Sequence, residues 1–290
     1  MELWHAVVLG LVEGITEYLP ISSTGHLILA SSLMGLDTPE AKHAVDDFNI
    51  VIQGGAILAV LGLYWPRVVQ MIKGVLGRDE KGLLLLINLG IAFLPAAVIG
   101  LLAHDYIEAK LFRPSPVLAA VLLGGLYMMT VEAWRDGKFS ARRTEMSLGE
   151  VTDVTPRQAL VVGLLQCIAM WPGVSRSMMT ITGGYLIGLK PKAAAEFSFL
   201  LGLPTLGAAT VYSLYKNLKH AHATGGQNLF EQLGYTSCAV GLAVACVSAA
   251  LAVKWLVGFL NRRGLHPFGW YRVALFAVLG VLMWQGIVSI

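Results

Sequence analysis

Two glutamates, Glu13 and Glu17, stand four residues apart inside an apolar stretch. On a helix this spacing puts them on one face, about a turn apart. A carboxylate in apolar surroundings is costly, and two on one face repel. Two uses fit the pair: ligating a divalent cation through oxygen, or one carboxylate orienting a nearby base. The run Pro20-Ile21-Ser22-Ser23-Thr24-Gly25-His26 follows at once. Pro20 breaks the helix. The hydroxyls of Ser22, Ser23 and Thr24 can place donors round an anion or cap the next helix, whose N-terminus suits phosphate. His26 titrates near neutral pH and can serve as acid, base or nucleophile.

A second polar run, Pro172-Gly173-Val174-Ser175-Arg176-Ser177 with Thr180, interrupts another apolar stretch. Arg176 is the one cation placed deep in such a stretch. Its planar guanidinium matches phosphate oxygens in a fork and could equally pair with Glu13 or Glu17. An empty site could hold that pair until substrate arrives. Ser175, Ser177 and Thr180 add donors, and Gly183 and Gly184 suit close helix packing. The set amounts to an anion site with a cation clamp, hydroxyls, two carboxylates and a histidine. An anionic head with apolar surroundings suggests a phosphorylated lipid. Phosphoryl transfer needs positioning and charge stabilisation more than covalent machinery.

The elements that must position these groups follow from composition. The chain has 290 residues, 56% apolar and 13% charged, with mean hydropathy +0.67 and net charge +3. Soluble domains run about 45–50% apolar and about 25% charged. This excludes disorder, a nucleic-acid-binding arm and a typical cytosolic enzyme, and it fits a polytopic membrane protein. Cys167, Cys238 and Cys246 lie in apolar stretches without a CxxC pair and read as buried small hydrophobes. The first apolar stretch lacks a basic leader and carries Glu13 and Glu17, so it reads as mature structure.

Six clean runs are long enough to span a bilayer: 48–65, 83–103, 116–134, 197–215, 235–257 and 273–289. Two further stretches, 4–35 and 157–188, have polar, helix-breaking centres. Fifteen of the 21 lysines and arginines sit in or beside loop 66–82, linker 135–157, residues 190–192 and the last connection. They share the cytoplasmic side only if 157–188 enters and leaves by that side. Residues 36–47 then lie outside.

The two interrupted stretches also resemble each other. Ala6–Glu13 aligns with Ala159–Gln166; with a one-residue gap, Pro20 meets Pro172 and Ser23 meets Ser175. Phe48 and Phe197 then open an apolar span in each half. Those spans run in opposite directions, so the halves form an inverted repeat, and 4–35 should be re-entrant from outside. Broken helices in such repeats meet near the midplane and build the site there. The expected fold is all-α: one membrane domain over 1–290, with about six transmembrane helices and two re-entrant elements. Its halves are 1–135 and 157–290, joined by a linker at 136–156.

With these residues in view, the chain resembles the bacterial undecaprenyl-diphosphate phosphatases of the bacitracin-resistance type. Residues Glu13 to His26 match the family's first signature, and Pro172 to Ser177 with Thr180 match its second. Phe48 with Gln53–Ala59, and Glu196–Leu200, match the patterns that follow each signature. The resemblance covers nearly the whole chain. It implies removal of the terminal phosphate from a C55 isoprenyl diphosphate, for recycling of the cell-wall carrier lipid and bacitracin tolerance. It also implies a multi-pass protein of the bacterial plasma membrane and a divalent cation, magnesium or calcium. Glu13 and Glu17 would hold that cation.

Two mechanisms stay open. Ser23 attacks phosphorus while His26 takes its proton, or His26 attacks directly; the serine route is preferred. In both, Arg176 clamps the diphosphate, Ser175 and Thr180 donate to it, Glu17 orients His26 or holds metal, and Glu13 assists. Access is expected from the extracytoplasmic side. The partners are the polyprenyl diphosphate and the bilayer, with no nucleic acid; a homodimer is left open. The alternative function is a lipid-phosphate transporter or flippase using the same site.

Overall fold

In the computed structural model, residues 1–138 and 146–288 are described, and they are helical with no strand. Helices α1 (Leu3–Thr16) and α2 (Ser23–Leu33) form a broken pair, followed by α3 (Pro39–Leu63), α4 (Trp65–Val75), α5 (Glu80–Leu111) and α6 (Pro114–Arg135). A second broken pair, α7 (Pro156–Ile168) and α8 (Arg176–Leu186), leads into α9 (Pro191–Thr224). The short α10 (Leu229–Leu233) precedes α11 (Tyr235–Arg263) and α12 (His266–Trp284).

Among the described residues, six helices are long and apolar enough to cross a membrane: α3, α5, α6, α9, α11 and α12. They overlie the six spans expected from the sequence. Leu101, Leu102, Val247 and Leu251 are each more than 60% exposed on α5 and α11. Water penalises such surface and hydrocarbon does not. The chain is an all-α, multi-pass membrane protein. Its helix ends are set by local chemistry. Asp79 Oδ1 accepts from Gly82 N at 2.7 Å to start α5, and Thr155 with Gln158 forms a capping box ahead of Pro156 and α7.

One boundary differs from expectation. Apolar length starts the last span at 273 and leaves Arg272 among the loop cations; α12 in fact begins at His266. Arg272 is fully buried. Its Nε donates to Val121 O at 3.1 Å, and its Nη2 to Ala120 O at 2.9 Å and Gly173 O at 2.7 Å. Three carbonyls replace part of its hydration shell, while Nη1 is buried without a partner among the described residues, and the helix continues through the cation.

Helix packing sets the depth of the broken pairs. Helix α1 runs along α11: a Cβ on Gly10 would stand 2.7 Å from Gly241 O, and one on Gly14 2.8 Å from Ala249 N. Ala249 is near the middle of the 29-residue α11, so α1 stops at mid-depth. Helix α2 then turns back. At the end where α1 starts, Ser237 Oγ donates to Met1 O at 3.0 Å. At that same end α10 touches both α3 and α11, and Asn217 donates to Asp47 of α3 at 3.1 Å. Helix α7 lies along α5 in the same way, with Gly163 against Ala92 O. It enters from the opposite end, where Asn88 Nδ2 donates to Val154 O, and α8 returns there, with Gln158 Nε2 donating to Ile187 O. Each end of the bundle therefore contributes one re-entrant pair.

Of the expected linker, residues 139–145, with Arg142 and Arg143, lie outside the described residues, as do 289–290 of the second half. The remainder is a structured strap. Leu148 pairs with Leu189, and Val151–Asp153 forms one 3₁₀ turn closed by Glu150 and Asp153. Arg67 ties it down, donating to Glu150 at 2.6 Å and Glu196 at 2.7 Å. Burial works against charge on Arg67, but these hydrogen bonds prevail and hold its pKa above the ordinary arginine value.

Candidate active site

The two re-entrant pairs meet at a cavity of about 170 Å³. Glu17, Ser22, Ser23, Thr24, Ser175 and Arg176 line it. Both returning helices begin at its wall. Among the described residues, Ser22 (φ 73°) and Ser175 (φ 79°) are the only non-glycine residues with positive φ. That conformation is strained for serine, and each hydroxyl caps the helix it precedes. Ser22 Oγ accepts from Gly25 N at 3.4 Å, and Ser175 Oγ from Met178 N at 3.3 Å. The earliest amides of each helix have no intrahelical acceptor. Two helix N-termini, each partially positive, thus converge on one space.

This backbone match shifts the pairing of the two runs. The sequence alignment sets Ser23 against Ser175; the structure sets Ser22 against Ser175, because the turn after Pro20 is one residue shorter than that after Pro172. Ser23 therefore corresponds to Arg176, and each is the first residue of its helix.

Glu17 joins them. Ser23 Oγ donates to Glu17 Oε2 at 2.7 Å, and Arg176 Nη2 pairs with Glu17 Oε1 at 3.2 Å. Arg176 Nη1 donates to Ser198 O at 2.9 Å, and its guanidinium lies 5.4 Å from the Tyr18 ring centre. A Cβ on Gly202 would stand 2.9 Å from Arg176 Nη1, so glycine there lets the guanidinium lie against α9. Arg176 Nε is buried and has no partner among the described residues. A buried donor without an acceptor suits an anion. Glu13, one turn below, is only 2% exposed and has no hydrogen-bond or ion-pair partner among the described residues.

Other candidates lie elsewhere. Ser177 Oγ donates to Leu19 O at 2.9 Å, and Thr180 Oγ1 meets Ser198 Oγ at 2.6 Å. Both are fully buried and neither lines the cavity, in contrast to the donor role expected of them. On α8 they face the protein core, where they fasten the first turn and α9. His26 does not touch Ser23. Its Nδ1 bonds Ser22 O at 2.7 Å, and its Nε2 bonds Tyr271 OH at 2.6 Å. With Nδ1 donating to the carbonyl, a neutral ring accepts from Tyr271 at Nε2.

Three residues are not singled out as site candidates by the sequence. Gln53 lines the cavity from α3, and its Oε1 accepts from Thr210 Oγ1 at 2.8 Å. Tyr271 and Arg272 are neighbours on α12, and each fastens one of the two runs, Tyr271 through His26 and Arg272 through Gly173. An arginine inside an apolar run is the available signal for Arg272. Gln53 opens the Gln53–Ala59 run that matches the pattern after the first signature, whereas nothing local marks Tyr271.

Comparison with known proteins identifies the family. The profile of the family described as bacitracin resistance protein BacA matches residues 6–279. An undecaprenyl-diphosphatase of Sorangium cellulosum (strain So ce56) is 48% identical over 276 residues, 95% of this chain and 85% of the relative. One from Acidovorax ebreus (strain TPSY) is 42% identical over 287 residues, covering 99% and 97% of the two chains. Rhodospirillum rubrum has an undecaprenyl-diphosphatase 2 that is 45% identical, also over 287 residues, with the same coverage. Similarity of this extent and identity leaves one conclusion: the chain belongs to the bacitracin resistance protein BacA family.

Proposed function

We propose that this protein is an undecaprenyl-diphosphatase, hydrolysing the terminal phosphate of the C55 isoprenyl diphosphate to give undecaprenyl phosphate. Such an activity would return carrier lipid to cell-wall synthesis and confer bacitracin resistance. The observation that carries it is the Ser23–Glu17–Arg176 cluster where two helix N-termini converge. The names of the relatives favour hydrolysis over carriage of the lipid.

In the reading the geometry supports best, Arg176 and the amides that open α2 and α8 hold the diphosphate oxygens. Ser22, Thr24 and Ser175 stand at the same wall. Ser23 Oγ attacks the terminal phosphorus and its proton passes to Glu17, which already accepts its hydrogen bond. The bond to the bridging oxygen breaks and undecaprenyl phosphate leaves. Water then releases phosphate from the serine. His26 is a positioning residue here: its bond to Ser22 O holds the strained turn that presents Ser23.

A divalent cation fits the donors present. Glu13 is a buried carboxylate without a partner among the described residues, one turn from Glu17. No cluster of three or more metal-ligating side chains occurs among the described residues. Substrate oxygens would complete the shell, the usual arrangement for magnesium. Bound there, the cation would neutralise diphosphate charge. We place the protein in the bacterial plasma membrane with the cavity reached from the cation-poor, extracytoplasmic end. The shared parts of the two broken pairs support reading 1–135 and 157–290 as inverted copies.

The test is phosphate release from a C15 or C55 isoprenyl diphosphate by purified protein in detergent, where no two sides exist to transport between. Wild type should release phosphate, and Arg176→Ala and Glu17→Ala should lose at least about 100-fold. Chelator should suppress the wild type. Absence of release by wild type in excess magnesium and calcium would overturn the reading.

A further inference from the structure

At the cation-rich end, the close of α6, the α11–α12 turn and the start of α9 enclose a second cleft, of about 500 Å³. Glu132 lies in its wall, and the negative charge there is already engaged. Glu132 Oε1 pairs with Arg135 Nη2, and Glu132 Oε2 accepts from Leu265 N at 3.2 Å. Asp136 also lines the cleft, with its Oδ1 3.4 Å from the same Arg135 nitrogen. Arg135 Nε is buried without a partner among the described residues. Arg262, Arg263 and His266 face the same space; Glu132 is close enough to attract charge on His266, whereas neither arginine has an ion-pair partner among the described residues. The two arginine side chains are exposed and free to move.

The depth of this cleft identifies its ligand. Trp255 and Trp270, on the two helices that meet at the turn, are 51% and 59% exposed. The Trp270 ring lies 6.2 Å from the His266 ring in the cleft wall. Exposed tryptophans at helix ends mark the headgroup layer of a bilayer. Basic pockets between transmembrane helices at that level suit anionic headgroups. We propose that this cleft holds the phosphate of an anionic membrane lipid, with Arg262 and Arg263 on its oxygens and His266 beside them. The site is independent of the phosphatase cavity and of the activity proposed for it.

Inorganic phosphate shares the chemistry, and the depth selects the lipid. The test follows thermal unfolding of the whole purified protein in uncharged detergent, with phosphatidylglycerol, phosphatidylcholine or inorganic phosphate added. Phosphatidylglycerol should raise the unfolding midpoint of wild type by several degrees, and the other two should not. The double variant Arg262→Gln/Arg263→Gln should lose that rise yet keep its lipid-free midpoint, because both side chains are exposed. Lys73→Gln/Arg78→Gln removes equal charge from exposed positions at the same end and should keep the rise. Three results would overturn the proposal: no rise in wild type, an equal rise with inorganic phosphate, or equal loss in both double variants.

Discussion

Ser23, Glu17 and Arg176 illustrate how few contacts decide the chemistry of this cavity. Serine becomes a nucleophile only with a base in contact, and the contact present is Glu17 at 2.7 Å. Glu17→Gln and Ser23→Ala should therefore each lower kcat by about 10²–10⁴-fold. Their double variant should fall little further, because the two act as one unit. Steady-state phosphate release on the three proteins checks this; a multiplicative loss would separate them. Gln53 makes a subtler case. Thr210 donates to its Oε1, which leaves the amide NH₂ as its donor toward an anion. Gln53→Leu should cut kcat/KM by about 10–100-fold, the worth of a hydrogen bond to a charged group. The unfolding midpoint should change little, because among the described residues the one hydrogen bond lost is that to Thr210.

At the scale of elements, glycines let the re-entrant helices reach mid-depth. Gly163 lies so close to Ala92 O that any larger residue forces α7 away from α5. Gly163→Leu should destabilise by about 1–3 kcal/mol, the usual cost of overpacking, and lower the unfolding midpoint by several degrees. Gly90→Ala, on the same α5 but with nothing within 4 Å, should be neutral or stabilising. Thermal unfolding in detergent compares the two directly. Helix α12 matters for a different reason. Through Tyr271 and Arg272 it holds both polar runs at once, so the geometry of the cavity depends on a helix that does not line it.

For the whole molecule, charge distribution should decide orientation. Arg67, Lys190, Arg262 and Arg263 gather at the end from which α7 enters, whereas Asp37 and Asp47 lie at the end from which α1 enters. Translocated segments tolerate lysine and arginine poorly, so the first end should face the cytoplasm. In a background with Cys167, Cys238 and Cys246 replaced by alanine, a cysteine at position 37 should react with an impermeant maleimide on intact cells. One at position 262 should react only after the membrane is opened. The reverse pattern would place the phosphatase cavity on the cytoplasmic side.

Apolar length and the position of buried charge are properties of the chain alone, so the six spans, the two broken stretches and a pairing of Arg176 with Glu13 or Glu17 are legible in the residues themselves, and the structure selects Glu17. Reading Arg272 as a loop residue fails because the carbonyls that accept from it belong to Val121, Ala120 and Gly173, far away in sequence. The hydroxyls divide for a related reason. Ser22, Ser23, Thr24 and Ser175 reach the cavity, while Ser177 and Thr180 turn into the core. Which way each points depends on where its helix begins and on two serines held at positive φ. Residue types along the chain name the chemistry: an anion clamp with acid–base groups. Only packing among α3, α9, α11 and α12 decides that Glu17, and not His26, touches Ser23, because helix phase and backbone strain are set by neighbours brought together in space.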